Sequence, residues 1–280
     1  MSLLESTTDL DPKELGLFFS LLEANTGIAL DATKAYLVNS RLSGLARDSA
    51  LVSVAALVGQ LNRTPVGHLH WQAFDLMATH ETLFFRDKLP FELIKSEIIP
   101  KLLNVNAGRR ELNIWCAAAS TGQEPYSLAI LLQEEFPVLQ NWQVRIHATD
   151  MSESCLAQAR SGLYNPIEIN RGLSQAQIKL HFDVLETGQF RIQSTLQQWI
   201  QFYRLNLLKE SPKLPLFDLI LLRNTLIYFN REKKMAVLKK IHDHLSHETG
   251  YLMLGSSESI LFDNRFIASR SDRVTYYRKV

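Results

Sequence analysis

The sequence predicts an α/β protein in which a helical N-terminal part precedes an open, doubly wound sheet. Three observations predict it. Apolar residues recur at helical spacing through about the first 75 residues, with no strand signal. From Leu112 onward, buried-strand runs alternate with amphipathic helices, the rhythm of a largely parallel sheet. The first of these runs breaks into a loop of small residues that leads directly into a helix, as the first βα unit of such a sheet does.

The helical part opens at Asp11-Pro12, with proline at a tolerated first-turn position. Leu15, Phe18, Phe19 and Leu22 follow at helical spacing until Asn25-Thr26-Gly27 stops the helix. A second helix is expected from Asp31 to Arg47, with Ala35, Val38, Leu42 and Leu45 on one stripe. A third runs from Ser53 to Leu61, and a fourth carries His68 to Met77. The expected organisation is a helical domain over 1–78, a linker and cofactor-contacting segment over 79–110, and an α/β domain over 111–280.

In the α/β part, Leu112 to Ala117 is the first strand, and Gln143 to Thr149 the second, ending in Asp150. Ser152 can cap the next helix, with Leu156 and Ala159 turned inward. Leu216 to Leu222 is apolar nearly throughout, as a central parallel strand should be. Arg231 to Leu245 reads as an amphipathic helix, Gly250 to Gly255 as a strand, and Val274 to Tyr277 as the last strand. Between Tyr164 and Asn206 the rhythm fails. There Gln189 to Gln193 and Trp199 to Arg204 alternate apolar and polar residues, with Glu186-Thr187-Gly188 as a turn. A small antiparallel β insertion over about 165–205 is expected.

With 280 residues, 46% hydrophobic and 21% charged, the chain can bury a sizeable core. A net charge of +1 gives no reason to expect nucleic acid as a partner. Cys116 and Cys155 are read as buried, reduced thiols, and two cysteines make no metal-site spacing. The acidic N-terminus is no signal peptide, and no apolar run reaches the ~20 residues of a membrane span. A cytoplasmic protein that does not insert into membrane is expected, and a monomer.

The loop from Ala117 to Gly122 lets a ligand approach the backbone, and Glu124 sets a carboxylate where the loop enters the helix. A carboxylate there opposes phosphate and suits a cationic, hydroxyl-rich ligand. S-adenosylmethionine, with its ammonium, sulfonium and ribose, fits. Asp150, at the end of the second strand, is placed to accept from ribose hydroxyls, a helix cap being the alternative. Phe84 and Phe85 flank Arg86, whose guanidinium can fork onto a ligand carboxylate. Arg223 and Asn224 follow a buried strand at the same sheet edge, with Tyr228 one turn further on.

Taken together, ETLFFRD, ASTGQEPYSLA, the ATD that ends at Asp150, RLNLL, FDLILLRNTLIYF and LMLGSSE resemble the CheR-type chemotaxis receptor methyltransferases, in the family's order. The resemblance implies a Rossmann-like class I methyltransferase domain. It implies methyl transfer from S-adenosylmethionine to receptor glutamates, with S-adenosylhomocysteine as product and chemoreceptors as partners. It places Arg86 on the methionyl part of the cofactor, with Thr82 and His80 alongside. Glu124, Asp150, Asn206, Leu207, Arg223 and Asn224 are implied cofactor contacts, and Tyr228 lies near the transferred methyl. His80 stands where the family usually has Asn, Ala119 replaces a frequent Cys, and Gln123 a frequent Glu. The stretch Glu186 to Phe190 has one glycine and is short, so independence from a tethering receptor peptide is expected.

An acidic helical substrate calls for positive charge. Lys34, Arg41 and Arg47 lie in a stretch with no acid, and at 100° per residue Lys34 and Arg41 share a face to within about 20°. The competing readings are a methyltransferase with another substrate and a cofactor-binding receptor adaptor. A nicotinamide dehydrogenase is disfavoured because the loop lacks G-x-G-x-x-G.

Overall fold

The computed structural model describes residues 10–209, 214–247, 249–271 and 273–280, so the N-terminal residues read above as no signal peptide lie mostly outside it. The chain divides into two compact units. One runs to Thr79 and takes in Tyr228–Lys233; the other comprises His80–Ile227 and Lys234–Val280.

The first unit holds α1 (Pro12–Thr26), α2 (Ala35–Asp48), α3 (Val54–Arg63) and α4 (His68–Met77). The Asp11 carboxylate caps α1, and Gly27 ends it at φ 83°, a left-handed conformation glycine adopts without steric cost. Ser53 caps α3 through the Ala56 N–H. Phe18, Leu22, Val38, Leu42, Leu57, Leu61 and Phe74 are wholly buried here. The second helix differs from expectation. Ala32–Lys34 form a separate 3-10 turn under the Asp31 side chain, and the α-helix begins only at Ala35. Lys34 therefore precedes the helix, and the spacing that put it on one face with Arg41 does not hold.

The second unit begins with α5 (Leu89–Leu93), a π-helical turn at Ile94–Ile98, and α6 (Ile99–Val105). This stretch was expected as a linker. It is instead core, because Phe91, Leu93, Ile94, Ile98, Ile99 and Leu102 pack with the central sheet. There follow β1 (Glu111–Ala117), α7 (Gln123–Glu135), β2 (Gln143–Asp150), α8 (Glu153–Ser161), β3 (Leu163–Tyr164), α9 (Pro166–Asn170) and α10 (Gln175–His181). Then come β4 (Phe182–Val184), β5 (Phe190–Ile192), α11 (Ser194–Gln197), β6 (Ile200–Arg204) and β7 (Leu219–Leu222). The unit closes with α12 (Arg231–His244, which starts in the first unit), β8 (Tyr251–Leu254), β9 (Phe266–Ser271) and β10 (Val274–Lys279).

Seven strands form the main sheet in the order β6-β2-β1-β7-β8-β10-β9. Pairing is parallel from β6 to β8, whereas β10 is antiparallel to both β8 and β9. β1 and β7 are buried along nearly their whole length, as strands covered on both faces must be. Strand order reverses between β1 and β7, so the crevice at their carboxyl ends is where a ligand binds such a sheet.

The β insertion is a three-stranded antiparallel sheet in the order β3-β5-β4. The turn at Glu186–Gly188 is as expected, with the Gly188 N–H on the Leu185 carbonyl. One expectation fails here. Trp199 to Arg204 is no insertion strand, since β6 pairs in parallel with β2, Ile146 to Ile200 through Asp150 to Arg204, and forms the main sheet's edge. An edge strand with one face in solvent alternates like an antiparallel strand, which misled the periodicity.

Candidate active site

Four loops at the carboxyl edge of the sheet and the segment before α5, all in the second unit, carry most of the expected residues. The first follows β1. Ala118 at φ 66° and Ser120 at φ 50° are left-handed without being glycine, and Gly122 sits at φ 96°. Tertiary contacts hold this bend. The Tyr164 hydroxyl donates to the Thr121 carbonyl at 2.8 Å, and the Ser120 hydroxyl donates to the His80 carbonyl at 2.9 Å. A Cβ at residue 122 would lie 2.9 Å from that of Ala159 and 3.0 Å from the Tyr164 hydroxyl, so only glycine fits. The Ser120 bond reaches the backbone of residue 80. A His in place of Asn leaves that contact unchanged.

Asp150 ends β2 and is buried. Its Oδ2 accepts from the Ser120 N–H at 2.8 Å and its Oδ1 from the Ser152 N–H at 2.9 Å. The carboxylate thus locks the loop after β1 to the loop after β2, while the cap of α8 is Ser152, whose hydroxyl accepts from the Cys155 N–H at 3.0 Å. Asn206 and Leu207 lie just beyond β6. The Leu205 N–H on the Asp150 carbonyl ties their segment to the same edge, and the Asn206 Oδ1 accepts from Leu208 N–H at 2.9 Å.

Arg223 is the electrostatic centre. Its side chain is 2% exposed. It donates to Glu124 Oε2 at 2.7 Å, to Asp87 Oδ2 at 2.8 Å and to the Arg86 carbonyl at 2.8 Å. The guanidinium lies 5.6 Å from the centre of the Phe91 ring. Its Nε is buried and has no hydrogen-bond partner among the described residues. Arg223 therefore joins the first turn of α7 to the FFRD segment, where Phe85, Asp87 and Lys88 are left-handed. Such strained residues persist only where the surroundings over-determine them.

Burial raises the Glu124 carboxyl above its ordinary value of 4.5, against the opposing pull of Arg223 and, more weakly, Arg86. A desolvated carboxylate gains most from a second cation. Burial, with Glu124 nearby, pushes the Cys116 thiol well up, so it stays protonated. Cys116 and Cys155 are both buried and unpaired with each other.

Arg86 is half-buried and donates to the Glu81 carbonyl at 2.7 Å. Thr82 is half-buried in the same segment. Asn224, directly after β7, is left-handed at φ 57°. These residues suit S-adenosylmethionine. Glu124 can hold an ammonium, Asp150 ribose hydroxyls, and Arg86 a carboxylate, while the orphaned Arg223 Nε is one more donor at the same edge.

Four expected residues, Tyr228, Arg41, Lys34 and Arg47, belong to the first unit. Tyr228 falls in the short piece that clusters with the first unit, where its carbonyl accepts from the Ala29 N–H at 3.3 Å. Arg41 spends its guanidinium on the end of α4, donating to the Met77 carbonyl at 2.7 Å and the Ala78 carbonyl at 3.0 Å. Its charge caps a helix C-terminus rather than facing outward, which is a correction to its expected part in docking. Lys34 and Arg47 are exposed. Asp87 and Glu258 carry no role in the sequence reading although both close quoted motifs. A carboxylate directly after FFR was the available signal for the first.

Residues 80–275 match the family model described as CheR methyltransferase, SAM binding domain. The chain is 40% identical over 248 residues to chemotaxis protein methyltransferase 1 of Pseudomonas aeruginosa, covering 87% of this chain and 89% of that protein. It is 38% identical over 259 residues to chemotaxis protein methyltransferase Cher2 of Pseudomonas putida, covering 91% of this chain and 92% of that protein. It is 37% identical over 246 residues to a chemotaxis protein methyltransferase of Vibrio parahaemolyticus, covering 87% and 88%.

Proposed function

The chain belongs to the CheR methyltransferase family, and on that premise we propose that it methylates glutamate side chains in the cytoplasmic helices of chemoreceptors, forming glutamyl methyl esters. It is an S-adenosylmethionine-dependent methyltransferase of mixed α/β fold. The observation that carries the finer reading is the identity to chemotaxis protein methyltransferases along most of the chain, with the expected carboxylates and arginines gathered at one sheet edge.

When bound, the cofactor supplies a methyl group made electrophilic by a positively charged sulfur. Glu124 holds the ammonium end, and its raised pKa makes that cation a net gain for the site. Asp150 takes ribose hydroxyls while keeping the Ser120 and Ser152 amides in place. Arg86 forks onto the methionyl carboxylate, and Asn206, Leu207, Asn224, Thr82 and His80 line the remainder. An acceptor glutamate is already ionised at pH 7, so no base has to deprotonate it. The residues have only to align the acceptor oxygen with the methyl and exclude water. Methylation removes one negative charge from the receptor, a local change able to bias a two-state helix bundle.

Lys34 and Arg47 remain the candidates for steering an acidic receptor helix, as exposed charges do through encounter rate. The site of action is the cytoplasm, where those helices lie, and the working form is a monomer. Among the described residues no helix is long and apolar enough to cross a membrane. The test is incubation with radiolabelled S-adenosylmethionine and chemoreceptor-bearing membranes. Base-labile label on the receptor band is expected, and its absence while the protein binds cofactor would give the transferase another substrate.

A further inference from the structure

The loop after β8 supplies a carboxylate that touches three backbone amides from two strand ends. Glu258 Oε2 accepts from the Asn224 N–H at 2.7 Å and from the Gly255 N–H at 2.8 Å, and Oε1 accepts from the Ile227 N–H at 3.3 Å. Asn224 is left-handed, a conformation asparagine tolerates better than other non-glycine residues, and here the bond from its N–H to Glu258 holds it in place. Directly behind it, a Cβ at residue 255 would lie 2.7 Å from Asn224 Nδ2 and 2.9 Å from both Asn224 N and Glu258 Oε2. The Asn224 amide therefore passes over Gly255 through space that no other residue leaves open. The Glu258 charge is close enough to Glu124 to raise that carboxyl's pKa.

We propose that Glu258, across the gap kept by Gly255, is a positioning residue that holds the Arg223–Asn224 corner in its cofactor-binding conformation. The inference rests on the reading of that corner as a cofactor contact. A carboxylate is the group for the task, because an anion accepts several N–H bonds at once and each is stronger than a neutral one. Without it, Asn224 relaxes out of the left-handed region. Its side-chain amide then leaves Gly255, and Arg223 loses the fixed backbone from which it reaches Glu124 and Asp87.

The experiment compares Glu258→Ala, Glu258→Gln and Gly255→Ala by calorimetric titration with S-adenosylhomocysteine, alongside receptor KM and melting temperature. Glu258→Ala is expected to weaken product binding roughly 10- to 100-fold, the equivalent of a lost charged hydrogen bond. Receptor KM should hold. Glu258→Gln, which keeps one accepting oxygen but neither the charge nor the second acceptor, should recover part of the affinity. Gly255→Ala displaces the same corner from the other side and should reproduce the alanine variant; it carries the test if Glu258→Ala fails to fold. Wild-type affinity in Glu258→Ala or Gly255→Ala overturns the proposal. So does a uniform loss in which receptor KM and stability worsen together and Gln rescues nothing. Failure of the wild-type protein to bind S-adenosylhomocysteine would instead sink the cofactor reading beneath it.

Discussion

Replacing Arg223 with Met separates a structural hub from a cofactor ligand. The substitution keeps much of the stem's bulk against Phe91 and removes the charge. It strands the Glu124 carboxylate, 13% exposed, the Asp87 carboxylate, 34% exposed, and the Arg86 carbonyl. Removing one partner of a buried ion pair costs about 3–5 kcal/mol, because the other charge stays buried and uncompensated. Asp87 can rehydrate and Glu124 can take up a proton, which places Arg223→Met near the low end, at about 3 kcal/mol. At roughly 2–4 °C per kcal/mol for a unit of this size, the melting temperature should fall by about 6–12 °C. Scanning calorimetry without cofactor at neutral pH measures it. Adding Glu124→Gln should return part of the loss, since the two residues share one interaction and their effects do not add. A fall below about 2 °C, with cofactor binding alone abolished, would refute the hub and make Arg223 a plain ligand.

Three further outcomes are expected. Glu124 has a raised folded-state pKa, so its ionised form costs the fold and that cost sets in as pH rises through the folded value. Glu124→Gln leaves the buried Arg223 charge to Asp87 alone and should melt lower than wild type, with the deficit smallest near neutrality and growing on acidification toward about pH 4, and it should bind cofactor more weakly; thermal scans across the range that show no pH-dependent difference would contradict it. Asp150→Ala should weaken cofactor binding by roughly 1–3 kcal/mol and also lower the melting temperature, because the Ser120 and Ser152 amides lose their acceptor. Reduced stability with unchanged affinity would leave only the clamp. Arg86→Ala should abolish methyl transfer with little change in melting temperature, since the bond from its side chain ends on the Glu81 carbonyl and the Arg86 carbonyl used by Arg223 survives; a large stability loss with activity kept per folded molecule would assign Arg86 to the core.

Most of the helices and central strands were legible in the sequence because their signals are local. Asp11, Ser53 and Ser152 cap helices within three residues of themselves. The apolar runs of β1, β7 and β8 announce burial on both faces, and the loop from Ala118 to Gly122 announces a ligand by its small residues. The helices at Leu89–Val105 escaped notice: a short helix broken by a π turn, with Pro90 and Pro100 in it, shows little period. β9 escaped too, because Arg270 and its neighbours face solvent on the sheet's outermost strand.

The sequence by itself determined which residue types stand at each strand end: a carboxylate after the first loop, an aspartate ending the second strand, and an arginine-asparagine pair after the fourth parallel one. Tertiary structure alone decided whom they bind. Arg223 finds Glu124 at 99 residues' separation and Asp87 at 136, and Glu258 reaches Asn224 across 34. The same holds for the strand at Ile200–Arg204, whose membership in the main sheet rests on amides and carbonyls of β2 about 50 residues back. A capping residue or a hydrophobic period acts over one or two turns, so it is written in adjacent letters. A charge or an edge strand is satisfied by whatever the closed chain brings within about 3 Å, and no spacing along the sequence encodes that.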